Sequence, residues 1–298
     1  MFSSIPGISI GHYTNATAQT GCTVILCPPE TIGSCDICGS SPGSRETGLL
    51  DPTKSMQQVN AILLSGGSAF GLAAADGVVK YLLEQNQGYS TPWGLVPIVP
   101  AAVIFDLNKG DSSIRPTAEN GYQACCAAKE KSDSCGLIGA GTGATIGKWQ
   151  NFENRMAGGL GTAETIVDDL IVSAVAVVNA IGDIYGADGT IIAGARMKDG
   201  SFCAKRGVRY GETKLPLHTN TTLVTVATNA ILNKTAVYNM CRRSQTGMSR
   251  AIKPVHTAHD GDCVFGLSTR KVQAPLELVL ETAADVTAQA IRAAVGAK

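Results

Sequence analysis

The sequence has 298 residues, of which 44% are hydrophobic and only 16% are charged. Soluble domains usually carry about 25% charged residues, so a large part of this chain is expected to lie in a core or between subunits. Equal numbers of basic and acidic residues, 24 of each, give no net charge. That balance argues against nucleic acid or an anionic membrane as a partner, and we expect a homo-oligomer.

Short apolar runs predict strands along the whole chain. They are separated by glycine-rich turns, which are dense in LLSGGSAFG, GAGTGATIGK and MAGGLG. The predicted strands are residues 23–27, 61–64, 96–107, 170–181, 190–195, 222–228 and 263–267. Strands of this number and length are typical of sandwiched sheets.

Helices are predicted between and after these strands. Ser68 is expected to cap the first helix. The apolar face of that helix is formed by Leu72, Val79, Leu82 and Leu83. A second helix is predicted at 117–126, opened by a threonine, and a third at 275–295, opened by a proline. No repeat or linker divides the chain, so residues 1–298 are expected to form a single domain with mixed α/β layers.

The N-terminus and the longest apolar stretch bear on location. The first residues, MFSSIPGISIGHYTN, have no basic start and no apolar run of the kind that a secretory signal carries. The stretch 170–181 is interrupted by Ser173 and Asn179 and is shorter than the roughly 20 residues of a membrane-spanning helix. We therefore expect a cytoplasmic protein.

Ten cysteines raise the question of a metal site. In a reducing compartment most cysteines act as small buried hydrophobic residues. The one metal-like spacing is Cys35-Asp-Ile-Cys38, preceded by Cys22 and Cys27, whereas a structural zinc site usually shows two close pairs. The sequence predicts neither metal nor cofactor, and a cysteine- or zinc-based sensor built on Cys22 to Cys38 stays open as an alternative.

Common catalytic and nucleotide-binding motifs fail on spacing. In GAGTGATIGKW the glycines are spaced wrongly for a phosphate loop or a dinucleotide fingerprint, and Trp149 stands where a phosphate loop needs Ser or Thr. Gly66 to Phe70 does not complete the Gly-x-Ser-x-Gly elbow of serine hydrolases. The histidines form no His-Glu-x-x-His pair; they are His12, His218, His256 and His259.

One polar segment opens directly onto an apolar strand. Asn220, Thr221 and Thr222 precede LVTVAT, which places Thr221 at the start of a strand, where a side chain can face a cleft. Threonine-rich strand starts are also common for reasons of β-propensity alone. The residues by themselves therefore leave a catalytic role for Thr221 open.

Several segments in order resemble one known family. They are PGISIGHYTN, PGSRETGLLDP, LLSGGSAFGL, VPAAVIFDL, GATIGK, VVNAIGDI, NTTLVTVAT and HDGDCVFGLST. Over nearly its whole length the chain resembles the L-aminopeptidase/D-esterase family of N-terminal-nucleophile hydrolases, which includes β-aminopeptidases and the nylon-oligomer (6-aminohexanoate-oligomer) endohydrolase. The resemblance implies a four-layer αββα sandwich, self-cleavage before a Ser or Thr, and a tetramer.

The resemblance also assigns roles to individual residues. The nucleophile is Thr221, which implies cleavage after Asn220 into residues 1–220, the α part, and 221–298, the β part. Asn179 matches an oxyanion-stabilising Asn, and Lys148 matches a Lys that keeps the new amine neutral by charge repulsion. Without the resemblance, Asn179 reads equally as a strand-end turn residue and Lys148 as a surface lysine.

The remaining site residues are implied in the same way. Asp260 and Asp262 match a carboxylate pair that hydrogen-bonds the ammonium of Thr221, although an Asp-Gly-Asp turn is also a common loop or a fragment of a calcium site. Phe105 stands where some members carry Tyr and removes a hydroxyl donor. Phe105 and Ser68 are the candidate substrate-binding residues.

The chemistry of an N-terminal threonine supports a hydrolase. A free α-amine has a pKa near ~8, so the amine of Thr221 can accept the proton of its own hydroxyl at neutral pH. We predict a self-processing amidase for peptides with a free N-terminus, β-amino-acid amides or short ω-amino-acid oligomers. The alternative is a catalytically silent oligomeric relative that binds a small amine or carboxylate metabolite.

Overall fold

The structure is a computed structural model that describes residues 4–130, 134–206 and 219–296. Its strands, in chain order, are β1 (Ser9–Asn15), β2 (Thr20–Leu26), β3 (Ile32–Ile37), β4 (Ser44–Arg45), β5 (Ala61–Ser65), β6 (Tyr89–Thr91), β7 (Gly94–Val96), β8 (Ala101–Val103), β9 (Thr145–Ile146), β10 (Met156–Ala157), β11 (Gly159–Val167), β12 (Leu170–Asn179), β13 (Asp183–Tyr185), β14 (Ile191–Ala193), β15 (Thr221–Ala230), β16 (Ile252–Lys253) and β17 (Cys263–Val272). The helices are α1 (Ala74–Glu84), α2 (Ala118–Cys126), α3 (Lys234–Ala251) and α4 (Leu276–Ala293).

Two five-stranded sheets form the centre of the molecule. The first sheet has the order β1-β2-β5-β8-β4, and the second has the order β11-β12-β15-β17-β3. In the second sheet β15 lies between antiparallel β12 and parallel β17. All ten residues of β15 are buried, as expected for a strand covered on both faces.

Three apolar layers hold the sheets and helices together. Side chains such as Ile62, Val177 and Phe265 fill the space between the two sheets. A second layer packs α1 and α2 against the first sheet, and a third packs α3 and α4 against the second sheet. The order of layers is helix, sheet, sheet, helix, so the predicted αββα sandwich is confirmed. Within the described ranges, no helix is long and apolar enough to span a membrane.

The helices α1 and α2 cross closely at two glycines. A Cβ atom on Gly77 of α1 would lie 1.7 Å from the carbonyl oxygen of Ala118, and one on Gly121 of α2 would lie 1.9 Å from that of Ala74. Any side chain at either position would collide with the backbone of the other helix.

Several sequence predictions need correction. Ser68 does not cap an α-helix, because the helix α1 starts only at Ala74. Ser68 is instead the first residue of a 3₁₀ turn that follows Gly67, and its φ of 53° is left-handed. Leu83 is exposed rather than part of the apolar face. The predicted strand 96–107 is interrupted by prolines, which cannot donate to a sheet, and only β7 and β8 form there. The helix α3 and the strand β11 were not predicted.

Candidate functional site

Thr221 begins β15 at the end of the second sheet. The sheet register places it opposite Asn179, the last residue of β12, and the residue is 5% exposed. The hydroxyl Oγ1 donates a hydrogen bond of 2.5 Å to the carbonyl oxygen of Asn220. The threonine hydroxyl therefore lies directly beside the peptide group that precedes it.

The loop before β17 approaches the same peptide group from the other side. The N–H of Gly261 donates a hydrogen bond of 2.8 Å to the carbonyl oxygen of Asn220, and the side chain of Asn220 donates to the carbonyl oxygen of His259 at 3.3 Å. A Cβ atom on Gly261 would lie 2.8 Å from Oγ1 of Thr221 and 2.6 Å from the carbonyl oxygen of Ser41. Only glycine fits here without displacing a neighbour.

Asp262 is buried and holds the backbone next to Thr221. Its Oδ1 accepts the N–H of Thr222 at 2.7 Å. Its Oδ2 accepts the N–H of His256 at 3.1 Å and is hydrogen-bonded to Nδ1 of the same histidine at 2.9 Å. A buried carboxylate needs such partners because burial without them is costly.

Asp260 is also buried but is less fully satisfied. Its Oδ2 accepts the N–H and the hydroxyl of Thr257 at 2.9 and 2.6 Å, whereas Oδ1 is buried without a hydrogen-bond partner. Burial, and then the charge of Asp262, raise the pKa of Asp260, while the hydrogen bonds from Thr257 and, to a lesser extent, the charge of Lys148 lower it. The free oxygen and the raised pKa make Asp260 a group that can hold or release a proton.

Lys148 is fully buried, which excludes the surface-lysine interpretation. Its Nζ donates to the backbone carbonyl oxygen of Asn179 at 3.0 Å and to the side-chain Oδ1 at 2.9 Å. Burial lowers the pKa of Lys148 to about 7, against the attraction of Asp260. Near neutral pH the side chain is therefore close to the point at which it loses its charge.

The amide of Asn179 faces the chain just before the Thr221 junction. Its Oδ1 accepts from Lys148 and from the N–H of Thr145, the latter at 3.0 Å. Its Nδ2 donates to the carbonyl oxygens of Phe105 and Thr219, both at 3.2 Å. Both donor contacts of the amide are therefore made to backbone carbonyl oxygens of the chain itself.

The two predicted substrate-binding residues lie at the edge of this cluster. Phe105 is joined to it through the bond from Asn179 to its carbonyl oxygen. The N–H of Ser68 donates to the carbonyl oxygen of Ile104 at 3.0 Å, so Ser68 lies beside the segment that carries Phe105. His218 lies outside the described residues.

A separate cavity of about 450 Å³ has none of the predicted site residues in its walls, which include Asp36, Lys54 and Tyr238. Across the described part of the chain, no group of three or more His, Cys, Asp or Glu residues is arranged to hold a metal ion. The site around Thr221 is closed by the chain itself, because Asn220 and Thr221 are both buried.

Sequence reasoning missed three members of the cluster. Thr257 and His256 support the two carboxylates, and Gly261 brings its N–H to the Asn220 carbonyl. The Asp-Gly-Asp pattern carried a signal for Gly261, since a glycine between two acids suggests a close approach of the backbone. No signal in the sequence could have joined His256 to Asp262, because that contact depends on how the chain turns after β16.

Comparison with protein families identifies the relationship of the whole chain. The family model described as Peptidase family S58 matches residues 2–297. The chain belongs to this family. It is therefore a hydrolase that acts on amide bonds, and the resemblance inferred from the sequence segments is confirmed.

Named relatives of this S58 member include both aminopeptidases and nylon-oligomer hydrolases. An uncharacterized aminopeptidase of Mycobacterium leprae is 42% identical over 91% of this chain and 79% of its own length. The 6-aminohexanoate-oligomer endohydrolase of Paenarthrobacter ureafaciens is 30% identical over 91% of this chain and 75% of its own length.

Solved structures share the fold of this S58 member. The L-aminopeptidase D-Ala-esterase/amidase from Ochrobactrum anthropi, described as a variant of the N-terminal-nucleophile hydrolase fold, superposes with a TM-score of 0.75 at 17% identity, over 97% of this chain and 84% of its own. A Burkholderia β-aminopeptidase superposes with a TM-score of 0.70 at 18% identity, with the same coverage. At this identity the likeness concerns the fold.

Proposed function

We propose that the chain cleaves its own Asn220-Thr221 peptide bond and then hydrolyses other amides with Thr221 as an N-terminal nucleophile. One observation carries the proposal: Oγ1 of Thr221 lies 2.5 Å from the Asn220 carbonyl oxygen, and the N–H of Gly261 donates to that same oxygen. A hydroxyl and a backbone N–H donor therefore both contact one peptide group, an arrangement that favours acyl transfer to that hydroxyl.

In the first reaction Oγ1 bonds to the carbonyl carbon of Asn220 as the hydroxyl gives up its proton. Negative charge develops on the Asn220 carbonyl oxygen, where the N–H of Gly261 stabilises it. The bond to the nitrogen of Thr221 then breaks and the nitrogen takes up a proton, which leaves an ester. Water hydrolyses the ester, releases the carboxylate of Asn220 and restores the hydroxyl of Thr221. The products are residues 1–220 and 221–298.

We propose Lys148, whose Nζ is hydrogen-bonded to Asn179 opposite Thr221, as the group that accepts the proton before an amine exists. At that stage the nitrogen of Thr221 is an amide and cannot act as a base. The pKa of Lys148 is lowered to about 7 by burial, so an appreciable fraction is neutral at neutral pH and can take a proton. Lys148 also donates a hydrogen bond to the side chain of Asn179, the residue opposite Thr221 in the sheet.

After cleavage Thr221 supplies its own base. Its α-amine, with an ordinary pKa near ~8, takes the hydroxyl proton as Oγ1 attacks the carbonyl carbon of a substrate amide. The Nδ2 group of Asn179 donates to the developing oxyanion, and the leaving amine takes up the proton. The carboxylates of Asp260 and Asp262 orient the amine. Water then hydrolyses the acyl-enzyme.

The substrate class follows from the relatives' names and from this chemistry. We assign peptides with a free N-terminus, β-amino-acid amides and short ω-amino-acid oligomers as the substrates to be screened. The low content of charged residues and the family relationship support a homo-oligomer, which we propose to be a tetramer. All ten cysteines are free thiols, which supports a reducing cytoplasmic location.

Intact-mass analysis of freshly purified protein tests the proposal. The expected result is two fragments, the smaller beginning at Thr221, whose masses add up to that of the 30.8 kDa chain plus one water molecule. Thr221→Ala should stay as one folded chain without amidase activity, whereas Thr221→Ser keeps a hydroxyl and should still be cut. An active sample in which every molecule is uncut would refute the mechanism. An uncut, inactive wild type would favour a silent binding relative.

A further inference from the structure

We propose that His256 is a positioning residue: it is hydrogen-bonded to Asp262 and, through this carboxylate, fixes the backbone next to Thr221. This inference rests on the proposed function, since it concerns the same nucleophile. His256 was not singled out by the sequence, and it does not touch the reacting peptide group. Its role is exerted through two contacts with one carboxylate oxygen.

The contacts form a short chain from His256 to the nucleophile. The backbone N–H of His256 and its ring Nδ1 both lie within hydrogen-bond distance of Oδ2 of Asp262, at 3.1 and 2.9 Å. With Oδ2 held in this way, Oδ1 is aimed at the N–H of Thr222, which it accepts at 2.7 Å. Thr222 is bonded directly to Thr221, so rotation of the Asp262 carboxylate would release the backbone at the nucleophile.

The backbone of His256 adopts a conformation that allows both contacts with Asp262. Its φ is 54°, in the left-handed region, which is uncommon outside glycine although histidine, asparagine and aspartate adopt it more often than other residues. In this conformation the N–H and the ring of one residue converge on a single oxygen. An unfavourable backbone conformation that persists at a functional cluster is the pattern expected where geometry is needed for function.

The surroundings of the ring favour a donor at Nδ1. Burial alone lowers the pKa of His256, but the hydrogen bond and the charge of Asp262 outweigh it and raise the pKa overall, helped by the carbonyl of Gln245 and the charge of Asp260. Gln245 lies on α3, so the ring sits between that helix and the carboxylate. Both the neutral tautomer with a proton on Nδ1 and the charged ring can donate to Asp262.

The consequence for catalysis is geometric. A nucleophile works only when it is held near the carbonyl carbon, and a misplacement of about 1 Å costs on the order of 100-fold in rate. His256 is the residue that prevents the Asp262 carboxylate from turning. Loss of the His256 side chain should therefore slow self-cleavage and lower the kcat of the mature enzyme, with a much smaller effect on KM.

Three substitutions of His256 in the full chain separate the side chain from the backbone. His256→Asn keeps a donor at a reach similar to Nδ1 and tolerates a left-handed backbone. His256→Gly accepts the backbone conformation even more easily and keeps the backbone N–H that donates to Asp262, but it has no side-chain donor. His256→Ala lacks both advantages. His12→Ala is the matched control, because the Nδ1 of His12 is hydrogen-bonded to Thr23 in the other sheet.

The readouts are the cleavage rate by intact mass, kcat and KM of the mature enzyme, and the melting temperature. We expect the Asn variant to stay within about threefold of wild type and the Gly variant to cleave about 10- to 100-fold more slowly, with both variants folded. Equal rates for the Gly and wild-type chains would overturn the inference while leaving self-cleavage intact. A wild-type chain that never cleaves would instead refute the proposed function itself.

Discussion

Replacing Gly261 by alanine tests whether its N–H stabilises the oxyanion of self-cleavage. The N–H lies 2.8 Å from the carbonyl oxygen of Asn220. Gly261 does not have a left-handed φ, so alanine meets no backbone strain. The added Cβ atom would, however, lie 2.6 Å from the carbonyl oxygen of Ser41 and 2.8 Å from Oγ1 of Thr221.

The expected effect follows from these distances. Ordinary contact begins at 3.4 Å, so the loop or the hydroxyl must move by about 0.6 to 0.8 Å to admit the new atom. Such a shift lengthens the N–H contact, moves the nucleophile, or does both. Loss of one oxyanion donor costs about 100- to 1,000-fold in rate, which corresponds to about 3–4 kcal/mol. We expect Gly261→Ala to cleave itself slower by this factor.

A time course of intact mass after rapid purification measures the rate, and thermal melting checks the fold. Gly48→Ala is the matched control, because a Cβ atom at Gly48 has no neighbour within 4 Å, and it should cleave at the wild-type rate. If folded Gly261→Ala also cleaves at the wild-type rate, the N–H of Gly261 does not stabilise the transition state and the reasoning is wrong.

Two further predictions concern Lys148 and the helix pair. The pKa of Lys148 is lowered to about 7, and its neutral form is the one that accepts a proton. The self-cleavage rate should therefore rise about tenfold per pH unit below about pH 7 and then level off. Lys148→Met should cleave slowly and show no such rise. A wild-type rate that does not change with pH would contradict Lys148 as the base. Gly77→Ala forces a Cβ atom to within 1.7 Å of Ala118 and should lower the free energy of unfolding by about 1–3 kcal/mol. Thermal melting checks this, and an unchanged melting temperature would contradict the close crossing of α1 and α2.

Residue patterns in the sequence predicted the helices whose ends are set by neighbouring residues along the chain. The last helix was expected at 275–295 and is observed at Leu276–Ala293 with Pro275 as its cap, and the helix after Thr117 ends at Cys126 as expected. The helix α3 was missed although Val237, Met240, Cys241 and Met248 are buried at helical spacing. Its polar residues, which give a low average hydrophobicity, obscured that pattern.

Long-range contacts explain what the sequence did not provide at the site. The resemblance to known hydrolases supplied Lys148, Asn179 and Thr221, and the structure brings these residues together at the end of the second sheet. Their catalytic roles stay predictions. The contact between His256 and Asp262 depends on the docking of the loop before β17 against β15, and it leaves no trace in residue spacing. For Gly261 the Asp-Gly-Asp pattern indicated a close backbone approach but not its partner.

The hydrogen bond from Nδ2 of Asn179 to the carbonyl oxygen of Thr219 has a consequence for the newly made chain. The amide group that would donate to a bound substrate under the proposed mechanism is already engaged by the polypeptide just before Asn220. Under the proposed mechanism a freshly synthesised molecule is latent, because its own backbone competes with every incoming molecule. Under that mechanism, cleavage of the Asn220-Thr221 bond and departure of the upstream end would remove this competitor, and activation would then need no second protein.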